Sequence, residues 1–162
     1  MHIDKGYLWI GTTTNGVYRL NIDKKELEHP IRKGNIISFY RDSGGELWIG
    51  SWEEGLFHVK TDGKIENFKY DAKNPHSLSS NFVRACCEDN LGNIWIGTFN
   101  GLNRYNKSTG LFQNHTANDI QSDGLTHSSI WCIVKDNQGT LWLGTYFGGV
   151  NYFNPEYEIY TR

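Results

Sequence analysis

One phrase is written four times along this chain, and that repetition limits the fold more than any other property of it. The clearest copy is Asp89-Asn-Leu-Gly92-Asn-Ile-Trp95-Ile-Gly97-Thr98. The others read Tyr7-Leu-Trp9-Ile-Gly11-Thr12, Asp42-Ser-Gly-Gly45-Glu-Leu-Trp48-Ile-Gly50-Ser51 and Asp136-Asn-Gln-Gly139-Thr-Leu-Trp142-Leu-Gly144-Thr145. Tryptophans at 9, 48, 95 and 142 give spacings of 39, 47 and 47 residues. A period of this size means stacked supersecondary units, each unable to bury its apolar surface without a neighbour.

Within a unit the same steps recur. An apolar run such as Phe82-Val-Arg-Ala-Cys-Cys87 leads into Asp-x-x-Gly and then Leu/Ile-Trp-Ile/Leu-Gly. A Gly-containing gap follows, then a segment such as Leu56-Phe-His-Val59 or Leu102-Asn-Arg-Tyr105, and a polar-apolar stretch such as Lys64-Ile-Glu-Asn-Phe68 closes the unit. These are four short strands separated by turn signals. Four antiparallel strands at this period describe one blade of a β-propeller. The Leu-Trp-Ile-Gly strand is apolar on both faces, as a sheet held between two other sheets requires. Each repeat Trp is therefore read as core. The Asp carboxylate is suited to accept backbone N–H groups across a tight hairpin whose Gly supplies a positive φ.

The expected architecture is all-β, a single propeller segment over residues 1–162 with blades at about 1–32, 33–78, 79–125 and 126–162. Only three residues precede Asp4, against six or seven of strand before each later Asp, so the first blade is expected to lack its inner strand. That opening suggests a piece cut from something larger. The connector Pro30–Gly34 is shorter than those over 71–80 and 116–126, and the last outer strand is expected over Tyr157–Thr161. Four places before each Asp stands a small residue, Ser38, Ala85 or Cys132, as converging blades near an axis would demand. Cys86, Cys87 and Cys132 are read as free, buried thiols.

Charge and spacing narrow the chemistry. A net charge of −2 without a Lys/Arg cluster argues against a nucleic-acid surface. No run reaches transmembrane length, and the opening residues lack the apolar stretch of a signal peptide. The six histidines, at 2, 29, 58, 76, 115 and 127, show no ligand spacing, so neither a metal nor a cofactor is expected. A glycosidase needs two facing carboxylates. Glu53-Glu54 is the one acidic pair in a plausible surface loop, and adjacent residues seldom converge on one substrate.

The stretch Ser79–Asn106, with its Asp89-Asn-Leu-Gly92 and Trp95-Ile-Gly97-Thr98, closely resembles the two-component regulator propeller repeat, and the resemblance extends over four consecutive repeats. That resemblance implies the extracytoplasmic, periplasmic sensor region of a membrane-anchored hybrid two-component receptor, non-catalytic, in many members recognising oligosaccharide. Family sensors carry many more repeats than four, so the other blades of a larger receptor are implied partners.

Propeller geometry places the interblade connectors and the second-to-third-strand loops on one face. There Thr13, Trp52, Phe99 and Tyr146 occupy matching positions, two residues after the repeat Gly. Arg84 and Trp131 should reach the same mouth, and with Glu53 beside Trp52 the candidate ligand-binding set is Trp52, Glu53, Arg84, Phe99, Trp131 and Tyr146. Exposed aromatics beside charged groups can stack on sugar rings or anchor a polypeptide. Three other readings stay open: the rings merely seal the rim, the face is a protein-interaction scaffold, or the propeller is a glycosidase. The terminal blades should each expose an apolar face, including sides of Trp9 and Trp142, and drive self-association with a dimer favoured over open arcs.

Overall fold

The computed structural model describes residues 1–117, 125–155 and 159–161, and among them sixteen strands form four antiparallel sheets with every sheet in simple chain order. The first sheet is β1 (His2–Asp4), β2 (Tyr7–Gly11), β3 (Val17–Asn21) and β4 (Leu27–Ile31). The second is β5 (Ile36–Arg41), β6 (Leu47–Ser51), β7 (Leu56–Val59) and β8 (Ile65–Phe68). The third is β9 (Val83–Glu88), β10 (Ile94–Thr98), β11 (Gly101–Asn106) and β12 (Leu111–His115). The fourth is β13 (Ile130–Lys135), β14 (Leu141–Thr145), β15 (Val150–Asn154) and β16 (Ile159–Thr161). The first strand of each sheet is innermost, since β9 packs against both β5 and β13. This is the propeller architecture expected from the repeat.

The first blade corrects the expectation of a missing inner strand. His2, Ile3 and Asp4 pair with Trp9, Leu8 and Tyr7. A short strand suffices because Lys5 and Gly6, at φ of 44° and 79°, make the turn in two residues without the Asp-x-x-Gly hairpin. The outer strand of that blade also runs further than expected, through Pro30 to Ile31. Pro30 is tolerated there because β4 is an edge strand, where a missing N–H breaks no ladder. Of the expected last strand Tyr157–Thr161, Ile159–Thr161 is seen, and Tyr157 and Glu158 lie outside the described residues, as do positions 118–124 of the long connector.

The repeat phrase explains itself at the hairpins. Asp89 Oδ1 accepts from the backbone N–H of Leu91 and Asn93, both at 2.9 Å, and its Oδ2 accepts from Trp95 Nε1 at 2.7 Å. Asp42 and Asp136 take the indole N–H of Trp48 and Trp142 in the same way, each at 2.8 Å. The carboxylate thus closes the turn and satisfies the one polar atom of a ring that is otherwise packed in apolar surroundings. Gly92 holds φ at 80° with open space around it, so its role is conformational. Gly97 has a different reason: a Cβ there would stand 2.7 Å from Ile130 of the next blade.

Three apolar cores fill the three seams between blades. Trp9 lies with Leu47, Ile49 and Phe57; Trp48 with Val83, Ile94, Ile96 and Tyr105; Trp95 with Ile130, Leu141, Leu143 and Phe153. The Trp side of each sheet therefore faces the following blade and the Leu/Ile side faces the preceding one. This direction decides which terminal Trp is covered. Trp9 is 5% exposed, contrary to expectation, because its side meets the second blade. Trp142 is 41% exposed, as expected, because nothing described follows it. Cys86 and Cys87 are buried, and burial pushes both thiols up. Cys132 corrects the third thiol assignment: it is exposed, on the uncovered side of the fourth blade.

Candidate functional site

The three complete inner strands share a defect of pairing at one end. Ile36 opposes Ser51 and Ser38 opposes Gly50, leaving Ile37 without a partner. Val83 opposes Thr98 and Ala85 opposes Gly97, leaving Arg84. Ile130 opposes Thr145 and Cys132 opposes Gly144, leaving Trp131. Each is a β-bulge, which bends the strand and re-aims the extra side chain. The bulges stand at the same end of adjacent inner strands, so their side chains converge. Ile37, Arg84 and Trp131, with Trp52 and Cys132, line a cavity of about 310 Å³ at that axial mouth.

The second-to-third-strand loops reach the same place by a repeated set of bonds. The hydroxyl after the repeat Gly, Ser51, Thr98 or Thr145, donates to the carbonyl of Gly55, Gly101 or Gly149 at 2.8–3.0 Å, which closes the loop. The next residue's N–H is then spent on the inner-strand side: Trp52 on Asn35 O at 2.8 Å, Phe99 on Phe82 O and Tyr146 on Ser129 O, both at 3.0 Å. Gly55 and Gly101 donate onward to Asn81 and Ser128 of the following connector, at 3.0 and 2.7 Å. Loop, bulge and neighbouring blade are thereby held in one register.

Five of the six candidate residues come together. The Arg84 guanidinium carbon lies 3.8 Å over the Trp131 ring, 5.0 Å from Trp52 and 6.0 Å from Phe99. Trp131 meets Tyr146 at 5.4 Å between ring centroids, and Trp52 packs edge-on to Phe82 at 5.4 Å. Phe99, Trp131 and Tyr146 remain about half exposed, so the rings offer faces to solvent as well as to one another. Glu53 stands exposed in the same loop, outside these ring contacts, and Thr13 is exposed on the first blade. Glu54, next to it, is engaged: Lys33 and Lys69 bond its Oε2 at 2.8 and 2.7 Å and hold its carboxyl below the usual range.

Sequence reasoning missed Ile37 and the bulges that carry it. Its register with Arg84 and Trp131, five places before each Asp, was available, but the three side chains share no chemistry that would announce a common role. Arg84 is 8% exposed, and its Nε and Nη1 have no hydrogen-bond partner among the described residues. Burial lowers its pKa, and the rings are the only groups described against its guanidinium plane. Among the described residues no group of three His, Cys, Asp or Glu is placed to hold a metal ion.

Comparison with known proteins bears on this arrangement. Residues 30–53, 77–100 and 124–147 match the family model described as two component regulator propeller, leaving the Trp9 copy outside the matched stretches. No curated protein sequence matches the chain. Among solved structures, the chain is 27% identical to the extracellular domain assigned to a hybrid two component system of B. thetaiotaomicron, with a TM-score of 0.72, over 100% of this chain and 22% of that one. A second such extracellular domain from the same organism is 22% identical with a TM-score of 0.53, over 93% of this chain and 26% of that one. Virginiamycin B lyase of Staphylococcus aureus is 16% identical with a TM-score of 0.73, over 99% of this chain and 53% of the lyase, a likeness of fold. The chain thus spans at most about half the length of these proteins.

Proposed function

We propose that this chain, three stretches of which match the two component regulator propeller model, is a non-catalytic, ligand-sensing stretch of the extracytoplasmic propeller of a hybrid two component sensor, and that it takes oligosaccharide at the axial mouth. The observation that carries the reading is the set of half-exposed ring faces, Phe99, Trp131 and Tyr146, gathered beside a cavity of about 310 Å³. Flat apolar faces next to polar edges suit the alternating apolar and hydroxyl-bearing surfaces of a pyranose. Location outside the cytoplasm is supported by the likeness, at 27% identity, to an extracellular hybrid-system domain. A catalytic reading would need acid and base groups at the mouth, and of the two carboxylates described in the loop after β6, Glu54 is already committed to Lys33 and Lys69.

The test is a glycan array probed with the chain, followed by calorimetry on the best saccharide with Trp131→Ala and Trp52→Ala. Loss of one stacking face should weaken binding roughly tenfold, about 1.4 kcal/mol, without changing the melting profile. Absence of any saccharide binding, with retention of a peptide ligand, would replace this reading by the protein-interaction scaffold.

A further inference from the structure

The mouth contains one group that stacking on a neutral sugar leaves unexplained. Arg84 is more than nine-tenths buried, its guanidinium is held on the face of Trp131, and two of its nitrogens, Nε and Nη1, find no acceptor among the described residues. A buried donor without an acceptor is costly, and a buried charge without a counter-charge more so. A purely structural position would be served better by an apolar side chain. Ile37 stands at the equivalent place in the second blade and shows that one is accommodated there.

Among the described residues, the anionic groups near the mouth do not answer it. Glu54 is turned to Lys33 and Lys69, and Glu53 is exposed in its loop without reaching Arg84. The carboxylates of Asp42, Asp89 and Asp136 close hairpins at the opposite end of the strands. Arg84 also sits at a bulge, the backbone device that turns its side chain to the cavity. The aromatic rings fix the guanidinium in place beforehand, so little rotamer freedom would be lost on capture of an acceptor.

Building on the saccharide reading above, we infer that the ligand of this mouth carries a carboxylate, that it is an acidic oligosaccharide with a uronate residue, and that Arg84 is the residue that reads the charge. The uronate carboxylate meets one of the two forked edges of the guanidinium, Nη2 with Nη1 or Nη2 with Nε, while the ring carrying it stacks on Trp131 or Trp52. A planar carboxylate is the matching acceptor for a planar fork of N–H donors. Neutral saccharides satisfy the ring faces and leave the guanidinium unpaired. The preference for acid therefore resides in one side chain and the general affinity for sugar in the rings around it.

The experiment uses the full chain and a paired panel: oligogalacturonate, alginate oligosaccharides and hyaluronan oligosaccharides, each beside its carboxyl-reduced neutral counterpart. At least one acid should bind at least tenfold more tightly than its reduced partner, with the preference shrinking as salt is raised. Arg84→Gln should bring the two members of that pair to within about twofold of each other, and Arg84→Lys, which keeps charge but loses the fork, should fall between. Both variants should melt no lower than the parent, because a desolvated cation is removed or made easier to discharge. Equal binding of acid and reduced members by the parent chain, or an acid preference that survives Arg84→Gln, overturns the assignment to Arg84 while the saccharide reading stands. No binding to any member, acid or neutral, overturns both.

Discussion

A single carboxylate does two jobs in each complete repeat, and Asp42 does a third. Its Oδ2 takes the Trp48 indole at 2.8 Å and also Lys107 Nζ at 2.6 Å, reaching from the third blade to the hairpin of the second. Burial works against the charged form, yet the bonds from Lys107, Trp48 and the Glu46 N–H hold the Asp42 carboxyl below its usual value. A group whose folded pKa is depressed contributes stability that is complete above the unfolded value, near 4, and is lost as pH falls through the lower folded one. The melting temperature of the parent should therefore drop as pH falls below about 4, whereas Asp42→Asn, already less stable by about 1–3 kcal/mol at neutral pH, should show a shallower drop there. Parallel pH profiles would mean that the ion pair with Lys107 contributes nothing. The six-residue spacing from Asp to Trp, the same in all three complete copies, was a legible sign of this bond. The Lys107 contact was not, since no local pattern links a third-blade turn to a second-blade hairpin 65 residues away.

Strands and hairpins were readable where packing imposes a period and unreadable where pairing slips. The two-faced burial of β6 and β10 leaves its mark as an unbroken apolar run, and every residue of both strands is buried. The hairpin glycines are equally plain. Gly92 sits at φ 80° with no neighbour within 4 Å, so a branched side chain meets backbone strain alone. Gly92→Val should destabilise by about 1 kcal/mol or more, measured by denaturant unfolding, and an unchanged midpoint would show that the turn relaxes into another form. Bulges are a different matter. A bulge is a relation between two strands, one residue out of step with its partner, and it leaves no trace in the composition of either. Propeller geometry was enough to bring Arg84 and Trp131 to one mouth, but Ile37, aliphatic beside a cation and an aromatic ring, carried no sign that it joins them there. Likewise the short inner strand β1 escaped notice because a two-residue turn replaced the expected hairpin.

At the scale of the whole molecule the Trp side of the fourth blade is the unsatisfied surface. Val134, Trp142, Val150 and Tyr152 are all exposed there, in positions where the inner blades bury or half-bury their counterparts. The complementary surface lies on the first blade, where Leu8 and Ile10 are half buried and Ile3 is 71% exposed. Contiguous apolar surface of this kind favours association. The chain should associate head to tail through these two surfaces, with a closed dimer as the main species, and light scattering across a concentration series reads it. Trp142→Glu should shift the population towards monomer, and a monodisperse monomer of the parent at tens of micromolar would refute the expectation. One detail sets the strength of that contact. In the internal seams the residue before each Asp reaches back to the previous hairpin, Arg41 to Asp4, Glu88 to Ser43 and Lys135 to Asn90, whereas the first blade offers Ile3 at that place. A copy-to-copy seam therefore lacks a polar latch and should be weaker than the internal ones.

The directional seam, Trp side forward and Leu/Ile side back, also bears on how a gene for such a chain can change length. Every joint mates the same two half-surfaces, so an in-frame duplication or loss of one period leaves, at the splice, a forward half meeting a backward half just as before. No new interface has to be invented and no compensating substitution has to arrive with it. Repeat number becomes a quantity that recombination can adjust in whole steps, while the bulge residues, which meet one another at the mouth and not within the apolar seams, remain available to diverge.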